Sequence, residues 1–479
     1  MSFTAAMIGS LLRSLAITVV GLGIAVRLTR SLRSLSSREA TWWWGLTLLP
    51  VFVPGLLIGY GYRNFALSLV HHPVWNEFLY AVLVMLQITP VGVLVLICSP
   101  APPVSASAVH VRRLAMRPPS LLEGEEQRAS LLFVGDLFRH HAFALLPAGA
   151  VMFLLAFQES EVATLMQVST WTEWLFTRYA GGLTMAAALN VLVYPVLLQL
   201  TVMAIALWVV SSEQSIERRE TPPAQVFHVK QRWLLIGFVL FAVVLLAGLP
   251  GLVVMRGTLN GFSVLSAHPM LMQEIGIALL FAVTAGGCAW LLSGWLIFRK
   301  GRAGRMLAVA LLLPGLLGAL ALGMGVAGMV QRPPLVSVRD TPLPLLIAET
   351  LFLLPRAMLL RLLIGRLTNS SAVHAARLLS SGDRTHREQS ARLIWRLDTV
   401  GRWGGLLLVS YWAYIELTLP SLLAPPGMTP APVVLYNLMH YGQISGLSAM
   451  LFASLATPVV VMIVMWGVSR VVMTRLRSI

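Results

Sequence analysis

Residues 78–99 read FLYAVLVMLQITPVGVLVLICS, twenty-two positions from Phe78 to Ser99 with no charged side chain. As a helix the run would be about 33 Å long at ~1.5 Å per residue, against a hydrocarbon core of ~30 Å. Lipid offers nothing to pair with free backbone groups, so a segment of this kind crosses as a helix or belongs to a closed barrel. A barrel strand would alternate and be half as long. This stretch therefore reads as a transmembrane helix.

Similar runs recur along the chain, at about 9–28, 42–63, 142–158, 181–211, 232–255, 275–297, 304–330, 343–366, 402–424 and 446–474. With 78–99 they make eleven expected spans. Arg13 interrupts the first, for which a cleaved leader is the alternative, although no small-residue cleavage site follows. Composition agrees. Of 479 residues, 57% are hydrophobic and 11% charged, and mean hydropathy is +0.80. A soluble domain carries about 25% charged residues, so a soluble enzyme, a disulfide scaffold and a disordered chain are excluded. Cys98 and Cys288 both fall in apolar runs and read as packing residues.

The formal net charge of +16 would suggest nucleic acid in a soluble protein. In a membrane protein, Lys and Arg instead collect in cytoplasmic loops. Alternate loops hold 27 and 5 of them. That asymmetry puts the N-terminus outside, the C-terminus in the cytoplasm, and no nucleic acid among the partners.

Four short matches occur in the same order in both halves. Pro54-Gly55-Leu56-Leu57 recurs as Pro314-Gly315-Leu316-Leu317, and Pro90 corresponds to Pro355. Ser107-Ala108-Val109-His110-Val111-Arg112-Arg113-Leu114 recurs as Ser371-Ala372-Val373-His374-Ala375-Ala376-Arg377-Leu378. Gln158-Glu159, Leu165-Met166 and Tyr179 align without gaps on Ile415-Glu416, Leu422-Leu423 and Tyr436. Corresponding spans are six crossings apart, which gives two parallel five-helix bundles about a pseudo-twofold axis. The expected organisation is a first bundle at 1–211, a cytoplasmic linker with an unpaired helix and outer loop at 212–274, and a second bundle at 275–479.

Each half has one long cytoplasmic loop carrying the Ser-Ala-Val-His string. In the second, a helical stretch from His374 meets the turn Ser380-Ser381-Gly382-Asp383, and another helix runs from Arg384 to Leu397. Such a hairpin suits either docking of a peripheral partner or an amphipathic loop on anionic lipid.

With Glu416, Pro425-Pro426-Gly427, Tyr436-Asn437 and His440-Tyr441-Gly442, this segment resembles the permease subunits of ATP-binding-cassette importers. The nearest likeness is to fused double permeases of the ferric-iron, thiamine and polyamine type. The resemblance implies an all-α fold of two tandem type I permease bundles. It further implies separate ATPase subunits, an extracytoplasmic solute-binding protein, a bacterial-type inner membrane, and an iron(III)-like solute. The family's coupling loop carries Glu-Ala-Ala-x-x-x-Gly. Here the acidic position is His374, the small pair is Ala375-Ala376, Arg377 follows, and Ser380 replaces the Gly; in the first loop His110, Val111, Arg112 and Arg113 stand at the matching positions. This loss of the motif leaves a permease-derived scaffold or sensor as the alternative function.

Carboxylates within spans are costly and face cavities or partners. Glu159 and Glu416 occupy matching positions and would face each other across the axis, lining a path or bonding neighbouring helices; Glu349 is a third candidate. Glu161, without a counterpart, reads as interfacial, as do Trp42-Trp43-Trp44, Trp171 and Trp174. His71-His72 cannot supply an i,i+4 ligand pair, so neither a metal nor any other cofactor is expected. No phosphate loop is present; ATP hydrolysis would belong to a partner, and the chain itself is no enzyme. An ion-coupled carrier ranks third, because buried charged relays look few.

Overall fold

The computed structural model describes residues 2–33, 35, 37–68, 72–98, 145–213, 230–267, 269–299, 301–368, 370–381, 383–439 and 445–475. Among them every regular element is helical. α1 (Phe3–Arg33) leads to α2 (Ser37–Leu48), α3 (Gly55–Ser68) and α4 (Pro73–Cys98). Then come α5 (145–157), the short α6 (Glu161–Leu165), α7 (Trp171–Ala180) and α8 (Met185–Glu213). α9 (Lys230–Val243) and α10 (Leu249–Gly261) form one helix through a π-turn at Val244–Gly248. The C-terminal half holds α11 (Met270–Phe298), α12 (Arg302–Leu316), α13 (Ala319–Val330) and α14 (Leu343–Leu367). It ends with α15 (Ser370–Leu379), α16 (Arg384–Ile394), α17 (Val400–Ile415), α18 (Thr418–Leu423), α19 (Ala431–Met439) and α20 (Ser445–Arg475).

Eight stretches are long and apolar enough to cross: α1, α4, α5 with α6 across a short break, α8, α9 with α10, α11, α14 and α20. Their outward faces are apolar, with Phe298 80% and Leu259 79% exposed. Water would not tolerate so much of this surface, and lipid does. The chain is an all-α, multi-pass membrane protein.

Eleven straight crossings are not what the apolar runs become. The runs at 42–63 and 304–330 are bent by 64° and 102°, each at a Pro-Gly-Leu-Leu string or just beyond it. In the second, Gly318 adopts φ +92°, which a side chain would resist. The run at 402–424 breaks after Ile415. α17 alone spans about 24 Å at ~1.5 Å per residue, short of the ~30 Å core.

α1 packs on α4, and α11 packs on both α14 and α17. The halves also exchange contacts. α13 lays Leu320, Ala321 and Met324 against Ala188 and Leu192 of α8. α3 meets α20 more lightly: the Tyr60 and Ser448 hydroxyls share a hydrogen bond of 2.5 Å, and Leu56 and Tyr60 join a core that includes Leu447, Met450 and Leu451. The helix expected from the sequence to lack a counterpart packs into the fold. Pro250 removes a backbone donor, the helix relaxes into the π-turn, and the Leu245 carbonyl accepts from the Tyr62 hydroxyl (2.8 Å). α9 contributes Leu235, Phe238 and Ala242 to the N-terminal core.

Two residue-level expectations change. Trp171 is no interfacial anchor: it is fully buried, and its indole donates to the Phe157 carbonyl (2.6 Å). Cys288 is exposed rather than packed, while Cys98 lies against the N-terminal core.

Candidate functional site

Two helix breaks meet at the junction of the halves. α5 gives way to α6 across residues 158–160, and α17 gives way to α18 across Glu416 and Leu417. A restarted helix leaves orphan N–H groups, and in each break a glutamate accepts from them. Glu159 takes Val162 N at 2.7 Å and Ala163 N at 3.1 Å. Glu416 takes Thr418 N at 3.1 Å and Leu419 N at 3.4 Å. Glu161 is not interfacial. It reaches across to accept from Leu417 N at 3.2 Å, and the Ser160 and Thr418 hydroxyls lie 3.2 Å apart beside it.

These breaks wall a cavity of about 190 Å³. Gln158, Glu159 and Glu161 line it from the N-terminal half; Phe352, Arg356, Trp412 and Glu416 line it from the C-terminal half. On α14, Glu349, Phe352 and Arg356 are spaced i, i+3, i+7 and so share one face. Arg356 donates to the Phe352 carbonyl (3.0 Å), and its guanidinium lies 3.9 Å from the centre of the Phe352 ring. No ion pair within 4.0 Å joins it to Glu161 or Glu416 among the described residues. Glu349 is 1% exposed, and its Oε2 has no hydrogen-bond partner among the described residues.

Past the Ser160–Thr418 contact lies a small cleft edged by Thr164, Phe176, Ser421 and Tyr436. There the Phe176 and Tyr436 rings meet edge-on at 6.5 Å. The paired breaks thus partition the larger cavity from this cleft.

A charged chain runs from α1 to the cavity. Arg13 holds Glu77 with two bonds of 2.7 and 2.9 Å and lies 5.3 Å from the Tyr80 ring centre. Tyr80, 1% exposed, donates to Glu159 Oε2 at 2.7 Å. The arginine that interrupts the first run is therefore neutralised in place.

The hairpin of α15 and α16 folds as a helix–turn–helix, with Arg377 O accepting from Ser380 N at 3.0 Å in the turn. Val373 and Ala376 point inward, and Ser390 donates to the Ala376 carbonyl at 2.6 Å. His374, Ala375, Arg377 and Ser380 face out. The Ala375-Ala376 pair is accordingly split: Ala376 closes the hairpin and only Ala375 is available to a partner. A cleft of about 700 Å³ beside it is lined by Ser371, His374, Leu378 and the Asp398–Arg402 ion pair (2.8 Å). His110, Val111, Arg112, Arg113 and Gly382 lie outside the described residues, as does His71.

No protein-family model, no curated protein and no solved structure matches this chain. Among the sequence candidates the structure unites Glu159 with Glu416 in one cavity wall, puts Glu349 on the helix face leading to it, and leaves the hairpin residues apart. Sequence reading misses Glu161, Arg356, Gln158, Trp412 and the Arg13–Glu77–Tyr80 chain. Arg356 follows Pro355, but the matching Pro90 is followed by Val91, so the repeat carries no mark of it. Glu77 lies 64 residues from Arg13, a separation at which spacing predicts nothing.

Proposed function

We propose that this chain forms the solute path of a membrane transporter, as the fused double-permease component of an ATP-driven importer. The observation that carries the reading is the cavity walled by both halves, which carries Glu159, Glu161, Arg356 and Glu416 in an otherwise largely apolar lining and is closed on one side by paired, glutamate-capped helix breaks. The packing of α13 on α8, and the Tyr60–Ser448 bond between α3 and α20, support two parallel repeats about a pseudo-axis. In this reading the two bent pairs and the continuous helix through α16 and α17 complete eleven segments. The arginine count orients the N-terminus outside and the hairpin in the cytoplasm of a bacterial-type inner membrane.

In the same reading the outward face of α15 docks a separate ATPase, and a binding protein delivers solute to the opposite side. The test is co-expression with cassette ATPases encoded near its gene, followed by affinity purification. A complex whose ATPase rate depends on the chain supports the importer; no complex with any of them refutes the ATP-driven part. Cysteine labelling near His72, Trp171 and Met428 from outside, and near Arg387 from inside, tests the orientation.

An ion-coupled carrier is the second reading. The Arg13–Glu77–Tyr80–Glu159 chain favours it, since buried ionisable groups in contact are what such carriers require.

A further inference from the structure

We propose that the cleft beside the α15–α16 hairpin holds the phosphodiester headgroup of an anionic glycerophospholipid, of the phosphatidylglycerol kind. The proposal needs only that the chain lies in a membrane and stands apart from the importer reading. The apolar span of α14 runs Leu343–Gly365, and Gly365 and Thr368 wall the cleft on the α14 side. The space therefore opens at the depth where hydrocarbon gives way to headgroups. Its volume of about 700 Å³ lies within the ~300–1,000 Å³ ordinary for ligand sites.

The lining is cationic. His374, Arg377 and Arg402 border the space, and Asp398 is the one carboxylate in its described lining. Asp398 takes only the Nε of Arg402, at 2.8 Å, and the two terminal nitrogens of that guanidinium meet no acceptor among the described residues. Arg377 has no ion pair within 4.0 Å among them either. One helical turn before Gly365, Arg361 donates to the Trp290 carbonyl (2.7 and 3.1 Å) and the Ser293 hydroxyl (2.9 Å), and lies 4.0 Å from the centre of the Trp290 ring. Its partners are all neutral, so its charge adds to the positive field at this end of α11, α14 and α17. Forked guanidinium donors match phosphate oxygens, and basic pockets between membrane helices recognise such headgroups. The surroundings favour a lipid over an acidic soluble protein. Leu378, in the lining, is 62% exposed; Leu362 and Trp403, within a turn of Gly365 and Arg402, are 40% and 42% exposed. Acyl chains would cover these, and Trp at this depth is a usual interfacial anchor. Ala375 also borders the cleft, so in the importer reading the bound lipid would lie beside the ATPase contact.

The experiment is native mass spectrometry of the full chain, stripped of lipid in detergent and titrated with phosphatidylglycerol or phosphatidylcholine. Phosphatidylglycerol should be retained at lower concentration. Arg377→Gln and Arg402→Gln should each weaken its first binding about tenfold or more. Arg302→Gln removes the same charge at the start of α12, outside the cleft, and should leave that binding unchanged. All three arginines are exposed, so the variants keep the fold, and their melting midpoints check it. Excess inorganic phosphate should not displace the lipid, because it lacks the acyl contacts. Equal retention of the two lipids, or an equal loss with Arg302→Gln, overturns the proposal in favour of general charge attraction. Displacement by inorganic phosphate overturns it in favour of a free anion. Retention untouched by both cleft variants overturns it and leaves the cleft to an acidic protein partner. No ATPase enters the measurement, so none of these results bears on the importer reading.

Discussion

Removing either partner of the Arg13–Glu77 pair should destabilise the fold, and unequally. The Arg13 side chain is 12% exposed and that of Glu77 41% exposed. Glu77→Met strands the more deeply buried charge. Breaking a buried pair from one side costs about 3–5 kcal/mol, and the low end applies because Arg13 keeps the Ser169 carbonyl (3.4 Å) and the Tyr80 ring. Arg13→Met leaves a glutamate with partial access to its surroundings, and charge-assisted bonds are worth about 1.5–3 kcal/mol. We expect about 3 kcal/mol for the first and about 2 kcal/mol for the second. The double variant should cost clearly less than their sum, since two well-packed apolar chains leave no unpaired charge. Equilibrium unfolding in mixed micelles, followed by tryptophan fluorescence across the double-mutant cycle, measures the coupling. Additive costs, or Arg13→Met costing more than Glu77→Met, would refute the assignment of Arg13 as the buried, dependent partner.

Three further outcomes are expected. Gly55 and Gly315, the matched glycines, both sit against another segment: a Cβ on Gly55 would press on the flexible Glu161 carboxylate, and one on Gly315 on the Leu351 carbonyl and the Pro355 ring. Gly315→Ala should therefore cost about 1–3 kcal/mol and Gly55→Ala less, whereas Gly276→Ala, with open space around it, should gain up to ~1 kcal/mol from helix propensity; the unfolding midpoints rank them. Ala375→Trp should spare folding but block a docked ATPase, and Ala376→Trp should unseat the hairpin itself, read as protease sensitivity near Asp383. Burial pushes the Glu173 carboxyl above the usual range, with the Thr177 hydroxyl partly opposing. The native state then holds that proton more tightly than the unfolded chain, so the group's contribution falls as pH rises through the carboxylate range and above. Glu173→Gln should flatten that slope in unfolding midpoints measured against pH.

The sequence by itself determined that the chain is helical and lies in a membrane, because hydropathy over ~20 residues is a local sum that no partner can reverse. It also marked Glu159 and Glu416, since a carboxylate in an apolar run is conspicuous wherever it lands. Tertiary structure decided the rest. Whether an apolar run is straight depends on what meets it at the bend: the 102° turn at Gly318 has Gln158 of the other half packed against it. Which carboxylate faces the cavity depends on which backbone amides come within reach: Glu161 was legible only as an isolated charge, and it acquires a role from Leu417, 256 residues away. Arg13 looked like a flaw in a span until Glu77 paired with it. Hydrophobic burial is non-directional and readable residue by residue, whereas hydrogen bonds and ion pairs are directional and short-ranged. Only the folded chain specifies which groups meet.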